Sequence, residues 1–208
     1  MTPLLEVRGL TKAYGRHTVL DGLDLTVDEG TVLAVTGANG AGKSTLLRCV
    51  VGADRADAGE VLLDGAVLDE TSPTVRAAVA CALDDVDHFA DLSVVEHLRL
   101  CAWAHGEDDP ERSVDRVLGA LGLDHARDQL PATLSTGQRR RLALAGCLVR
   151  PRRLLVLDEP EQRLDAAGRS WLAHTLHAER ERGRAVLIAS HDEEMVAAVA
   201  DDRVEIGA

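Results

Sequence analysis

The chain predicts an α/β fold with a parallel central sheet and a helical insertion, and three observations lead there. Short apolar runs ending in glycine, acids or polar loops alternate with stretches of helical periodicity. Between about 89 and 149 the helical spacing continues with no strand-like run to interrupt it. A glycine-rich segment lies between one apolar run and a helix, which is where phosphate-binding turns occur in such sheets.

The elements follow in order. Residues 31–36 (TVLAVT) read as a buried strand, and 43–51 as the helix after it. Residues 60–68 (EVLLDGAVL) contain Asp64-Gly65, a hairpin turn between two apolar halves. Residues 93–104 and 111–121 carry apolar side chains at three-and-four spacing, with Pro110 at the start of the second helix. Residues 154–157 and 185–189 are short, wholly apolar runs, the pattern of central parallel strands. The division expected is an α/β core of 1–88 and 150–208 with a helical part of 89–149, all within one domain of 208 residues.

Composition narrows the function classes. The 46% hydrophobic and 28% charged content is globular. No apolar run approaches the roughly 18–20 residues of a membrane span, and the N-terminus lacks a basic segment followed by an apolar one. A soluble, cytoplasmic protein is expected. A formal net charge of −12, with only two lysines among 23 basic residues, argues against nucleic acid as a partner. The four cysteines show no CxxC or zinc spacing and read as buried free thiols. Trp103 and Trp171 read as core or subdomain-interface residues.

The strongest chemical signal is Gly37-Ala38-Asn39-Gly40-Ala41-Gly42-Lys43-Ser44-Thr45, which fits G-x-x-x-x-G-K-[ST] between a strand and a helix. Its glycines let successive N–H groups turn inward onto phosphate oxygens, and the helix end adds a positive pole. Lys43 supplies a charge to the β- and γ-phosphates, and the Ser44 hydroxyl suits Mg²⁺. Downstream, the apolar strand of 154–157 ends in Asp158-Glu159-Pro160. There Asp158 would hold Mg²⁺ through its water shell, and Glu159 would polarise an attacking water.

Leu134-Ser135-Thr136-Gly137-Gln138, followed by Arg139–Arg141, lies ahead of Pro151 and the Asp158 strand. With these motifs in this order, the chain resembles the ATP-binding cassette (ABC) ATPases over nearly its whole length. The resemblance implies a P-loop, RecA-like α/β core with an N-terminal antiparallel β part and a helical signature subdomain. It matches Leu164-Asp165 to the end of the D-loop, His191 to the switch histidine and Tyr14, the only tyrosine, to the adenine-stacking aromatic. Ser135, a good N-cap, would with Gly137 and Gln138 present a second phosphate-binding helix end to the nucleotide on a partner's P-loop. ATP and Mg²⁺ are the implied ligands, sandwiched head-to-tail between two cassettes. A second ATPase subunit and integral membrane permease subunits are the implied partners, with this chain peripheral on the cytoplasmic membrane face.

The sequence departs from the family in three places. The position of the Q-loop glutamine holds Asp84, a possible Mg²⁺ ligand that also brings negative charge towards the triphosphate. The D-loop reads Glu161-Gln162-Arg163, which puts a bulky Arg163 beside Asp165 at the implied dimer interface. Thr136 replaces the first signature glycine. The implied function is the ATPase subunit of an ABC transporter, with export favoured on the resemblance to compact exporter cassettes. An ATP-gated assembly module without transport, and a slow or degenerate member of a heterodimeric pair, are the alternatives.

Overall fold

The computed structural model describes residues 3–83 and 88–207. Two sheets organise it. The first is antiparallel, in the order β2-β1-β4-β5, with β1 Leu5–Tyr14, β2 His17–Val27, β4 Ala58–Leu63 and β5 Ala66–Val67. The second is parallel, in the order β6-β7-β8-β3-β9, with β3 Val32–Thr36, β6 Val79–Ala82, β7 Leu154–Asp158, β8 Ala185–Ala189 and β9 Asp202–Glu205. Every residue of β3, β7 and β8 is buried, as expected of interior strands covered on both faces.

Local sequence explains the joins. Tyr14 pairs with His17 across a two-residue Gly15-Arg16 turn, and Asp64-Gly65 joins β4 to β5 as the hairpin signal predicts. Helix α1 (Lys43–Val50) and the antiparallel sheet enclose one apolar cluster with one face of β3, β7 and β8, including Leu10, Leu46, Leu47 and Val156. On the opposite face, α6 (Ala166–Glu181) and α7 (Glu193–Val199) pack Leu172, Leu176 and Val196 onto Leu155, Leu157 and Ile188. A short α2 (Pro73–Ala78) leads into β6.

The three helices α3 (Val94–Ala104), α4 (Pro110–Leu121) and α5 (Thr136–Leu148) form a third apolar cluster around Leu98, Leu118, Leu123 and Leu142. Trp171 is half-buried against both this cluster and the one under α6, so it sits at the junction expected for it. Trp103 does not: at 78% exposure it projects from α3, because its spacing places it on the outer face. The thiols also differ from expectation. Cys49 and Cys147 are buried, but Cys81 is exposed and Cys101 half-buried, all four being free. Among the described residues no helix is long and apolar enough to cross a membrane.

Candidate functional site

The end of β3 and the start of α1 are joined by the glycine turn, whose backbone only glycine allows at two points. Gly37 (φ 141°) lies against the C-terminal segment, where an added Cβ would stand 2.4 Å from the Ile206 carbonyl oxygen. Gly42 (φ 105°) is the N-cap of α1, and a Cβ there would meet Val19 Cγ1 at 2.7 Å. Helices α3 to α6 each begin with a side chain that accepts a bond from their own first-turn N–H groups; α1 has no such cap and no acid in its first turn. Its N-terminal donors are therefore left for a ligand.

These groups open onto a cavity of about 660 Å³, the size of a small-ligand site. Tyr14, Asn39, Gly40, Gly42, Lys43, Ser44 and Thr45 line one part of it, and Asp158, Glu159 and Arg163 another. Gly37 and Ala41 support the turn from behind. Lys43 Nζ donates to the Gly37 and Ala38 carbonyls at 2.8 and 3.2 Å and lies 3.6 Å from Glu159 Oε1. Tyr14 is half exposed, its hydroxyl donating to Asp54 at 2.5 Å. That bond raises the phenol above its ordinary value, and bonds from Tyr14 and then Lys12 hold Asp54 below its own.

Parallel pairing of β7 with β8 sets Asp158 opposite Ala189, so the two strands deliver Glu159 and His191 to the same point. His191 Nδ1 and Glu159 Oε2 are 2.6 Å apart, and the His191 N–H donates to the same oxygen at 3.3 Å. Burial lifts the Glu159 acid, but the bonds from His191 and Glu161 outweigh it and leave Glu159 below the usual carboxylate value. The same bond to Glu159 raises His191. Glu159 itself has φ 44°, a left-handed backbone held by its N–H bond to Ala189 O at 2.8 Å.

Three neighbours of these residues were not legible as such. Arg140, read only as part of a basic run, lines the cavity and donates to the carbonyls of Asp158 and Glu159, the latter at 2.9 Å. The run divides its work: Arg139 bonds Leu134 O at 2.7 Å and Arg141 pairs with Asp165 at 2.8 Å. Glu161 and Ser190 are both buried and bonded to each other below the Glu159-Pro160 turn. Asp84 lies outside the described residues.

Ser135 caps α5 in a full capping box with Gln138, whose Oε1 accepts the Ser135 N–H at 2.8 Å. Ser135, Gly137 and Gln138 do not line the cavity; they stand at the other helix end, with Gly137 close under the Arg163 carbonyl. Asp165 caps α6, accepting from the Gly168 N–H at 2.9 Å.

A family model described as "ABC transporter" matches residues 20–162. This chain belongs to the ABC transporter family. The SkfA peptide export ATP-binding protein SkfE of Bacillus subtilis is 31% identical over 200 residues, spanning 95% of this chain and 83% of its own. The cobalt import ATP-binding protein CbiO of Rhodobacter capsulatus is 38% identical over 209 residues, spanning 97% and 74%. Among solved structures, CbiO1 from Clostridium perfringens, part of the ABC transporter complex CbiONQ, superposes with a TM-score of 0.81 at 29% identity, covering 99% of this chain and 85% of that one. An ATP-binding subunit of an ABC transporter reaches 0.88 at 28% identity, covering 98% and 85%. The chain is the ATPase subunit of an ABC transporter, with the ABC ATPase fold expected of it; its relatives serve import and export alike.

Proposed function

We propose that this ABC ATPase hydrolyses ATP by attack of a water held between Glu159 and His191, with the triphosphate on the glycine turn. The convergence of Lys43, Asp158 and Glu159 on one cavity, with His191 bonded to Glu159 beside it, carries the reading. Tyr14 would stack on the adenine. The phosphates would lie along the N–H groups of Gly40, Gly42, Lys43, Ser44 and Thr45, with Asn39 at the rim and Lys43 turning from Glu159 to the γ-phosphate. The hard oxygen donors of Ser44 and Asp158 suit Mg²⁺, with Asp84 as a further candidate. Bound there, Mg²⁺ supplies charge neutralisation to the triphosphate. Glu159, depressed and already ionised, is ready to accept the water proton, while the His191 imidazole orients it.

The same reading makes the site composite, with Ser135, Gly137 and Gln138 of a second cassette closing over the γ-phosphate and Arg163 and Asp165 near the dimer seam. Residues 1–88 and 150–208 then form the nucleotide-binding core, and 89–149 the signature subdomain. Leu100 and Trp103, three residues apart on α3, are exposed, as is Phe89 in the segment ahead of that helix, and this face is the one partner membrane subunits would meet. The protein would thus sit on the cytoplasmic membrane face. Export is the direction we favour, on the likeness to the peptide-export subunit. The test is Glu159→Gln with Mg-ATP. A nucleotide-dependent dimer on size exclusion with light scattering is expected, and a monomer at saturating Mg-ATP overturns the symmetric sandwich. Identifying the membrane protein that co-purifies with the native chain decides direction.

A further inference from the structure

Glu161 has no part in the reaction as set out above, yet it is one of the least accessible acids in the protein. Its residue exposure is 2%, directly beyond the Glu159-Pro160 turn and at a position where the sequence departs from the family pattern. One carboxyl oxygen accepts the Ser190 hydroxyl proton, and the Ser190 oxygen accepts in turn from the Asp192 N–H at 3.0 Å. The other oxygen, Oε2, is buried and no donor reaches it. Polar atoms of Glu161, Glu159 and His191 all lie within 4.8 Å of one another. Two ionised carboxylates at that separation, one of them out of water, repel each other, and a buried charged oxygen without a donor bears its full desolvation cost. A proton on Oε2 removes both penalties, because the O–H can then donate to Glu159, whose carboxylate has lone pairs to spare beyond those facing His191 and Lys43.

We propose that Glu161, held as the neutral acid, is a positioning residue for ATP hydrolysis: it bridges Ser190 at the end of β8 to Glu159 and fixes the general base in place. The inference rests on Glu159 being the base. The charged groups around the pair are His191 beyond β8, which faces Glu159 Oε2, Lys43 at the head of α1, which faces Oε1, and Arg140 of α5, which donates to the Glu159 carbonyl at 2.9 Å. Burial pushes Glu161 up to about 7; the Ser190 hydroxyl acts against this and the charge of Glu159 with it. As pH rises through the neutral range Glu161 ionises, the bridge is lost and the two carboxylates repel.

Glutamine reproduces the neutral acid at this position, with an oxygen for Ser190 and an N–H for Glu159, and it cannot ionise. Leucine matches the volume without either contact. Steady-state ATPase rates of the wild type, Glu161→Gln and Glu161→Leu across the neutral and mildly alkaline range separate the possibilities. Glu161→Gln should keep kcat within about 3-fold and lack the alkaline decline expected of the wild type. Glu161→Leu should lose about 10-fold or more in kcat with KM for ATP unchanged. A leucine variant with the wild-type kcat and pH profile, or a glutamine variant as impaired as the leucine one, overturns the proposal. Infrared difference spectroscopy of the nucleotide-free wild type against Glu161→Gln at neutral pH reads the proton directly and needs no turnover. A protonated-carboxyl stretch present only in the wild type supports it, and its absence overturns it. Should Glu159→Gln hydrolyse ATP at the wild-type rate, the base assignment fails, while the infrared result still reports on Glu161.

Discussion

The ammonium of Lys43 stands 3.6 Å from Glu159 Oε1 while donating to the carbonyls of its own glycine turn. In the proposed reaction, this sets the residue assigned to phosphate against the residue assigned to water. On that reading, arrival of the triphosphate would draw the lysine away and leave Glu159 facing His191 and Glu161. Glu159→Gln should therefore reduce turnover by about 10²–10⁴ without weakening Mg-ATP binding, since it removes a competitor for Lys43. Parallel rate and nucleotide-titration measurements check both halves; an equal loss of affinity and rate would contradict this division of labour.

The bond between His191 and Glu159 has a pH signature whose sign follows from the two shifts. His191 is raised, so its share of the pair's stability is complete below the ordinary imidazole value and is lost as pH rises through its folded value. Glu159 is lowered, so its share is present above the ordinary carboxylate value and is lost as pH falls through its folded value. The gap in denaturation midpoint between wild type and His191→Ala should be widest between those limits and close towards both extremes. With His191 half exposed, the gap should be under about 1 kcal/mol. The rate effect should be far larger than the stability effect.

Tyr14 separates ring from hydroxyl. If the ring carries adenine, Tyr14→Phe should bind ATP as the wild type does, and Tyr14→Ala should lose about 1–2 kcal/mol, some 5- to 30-fold. If both variants lose equally, the bond to Asp54 is what matters and stacking is excluded. Isothermal titration with Mg-ATP distinguishes the two.

Far from the cavity, Arg152 and Glu179 form the most deeply buried ion pair among the described residues, at 2.6 Å, with Arg184 adding a second contact to Glu179 at 2.8 Å. Arg152 also donates to the Cys147, Leu148 and Arg150 carbonyls at the end of α5. Arg152→Ala would leave the buried Glu179 charge to the more exposed Arg182 and Arg184 and the α5 carbonyls unsatisfied, and should cost about 3 kcal/mol in urea unfolding while the folded fraction keeps its ATP affinity. Replacing both partners by apolar residues should recover part of that loss.

The parts of the site legible in the sequence were those in which chemistry and backbone demand coincide. The glycine turn must be glycine because of Gly37 and Gly42, the strand end at Asp158-Glu159 is announced by the apolar run before it, and Ser135 announces α5 as an ordinary cap. Less legible were features settled only by tertiary placement. β1 and β2 are broken by register shifts, so their alternation is too irregular to read. Arg140 looks like any solvated arginine until the β7 turn is folded beneath it. Glu161 looks like an exposed loop acid; only the pairing of β7 with β8, which brings Ser190 over it, makes it buried. Trp103 misled in the other direction, since a large aromatic on an amphipathic helix suggests a core residue, and its angular position on α3 decides otherwise.

That exposed indole has a practical consequence. The chain contains only two tryptophans, and the other is anchored between two apolar clusters. The emission of Trp103 can thus serve as a built-in optical sensor on the face proposed for membrane subunits. Docking of a partner there would shift its fluorescence to the blue, giving an assembly assay that requires no label.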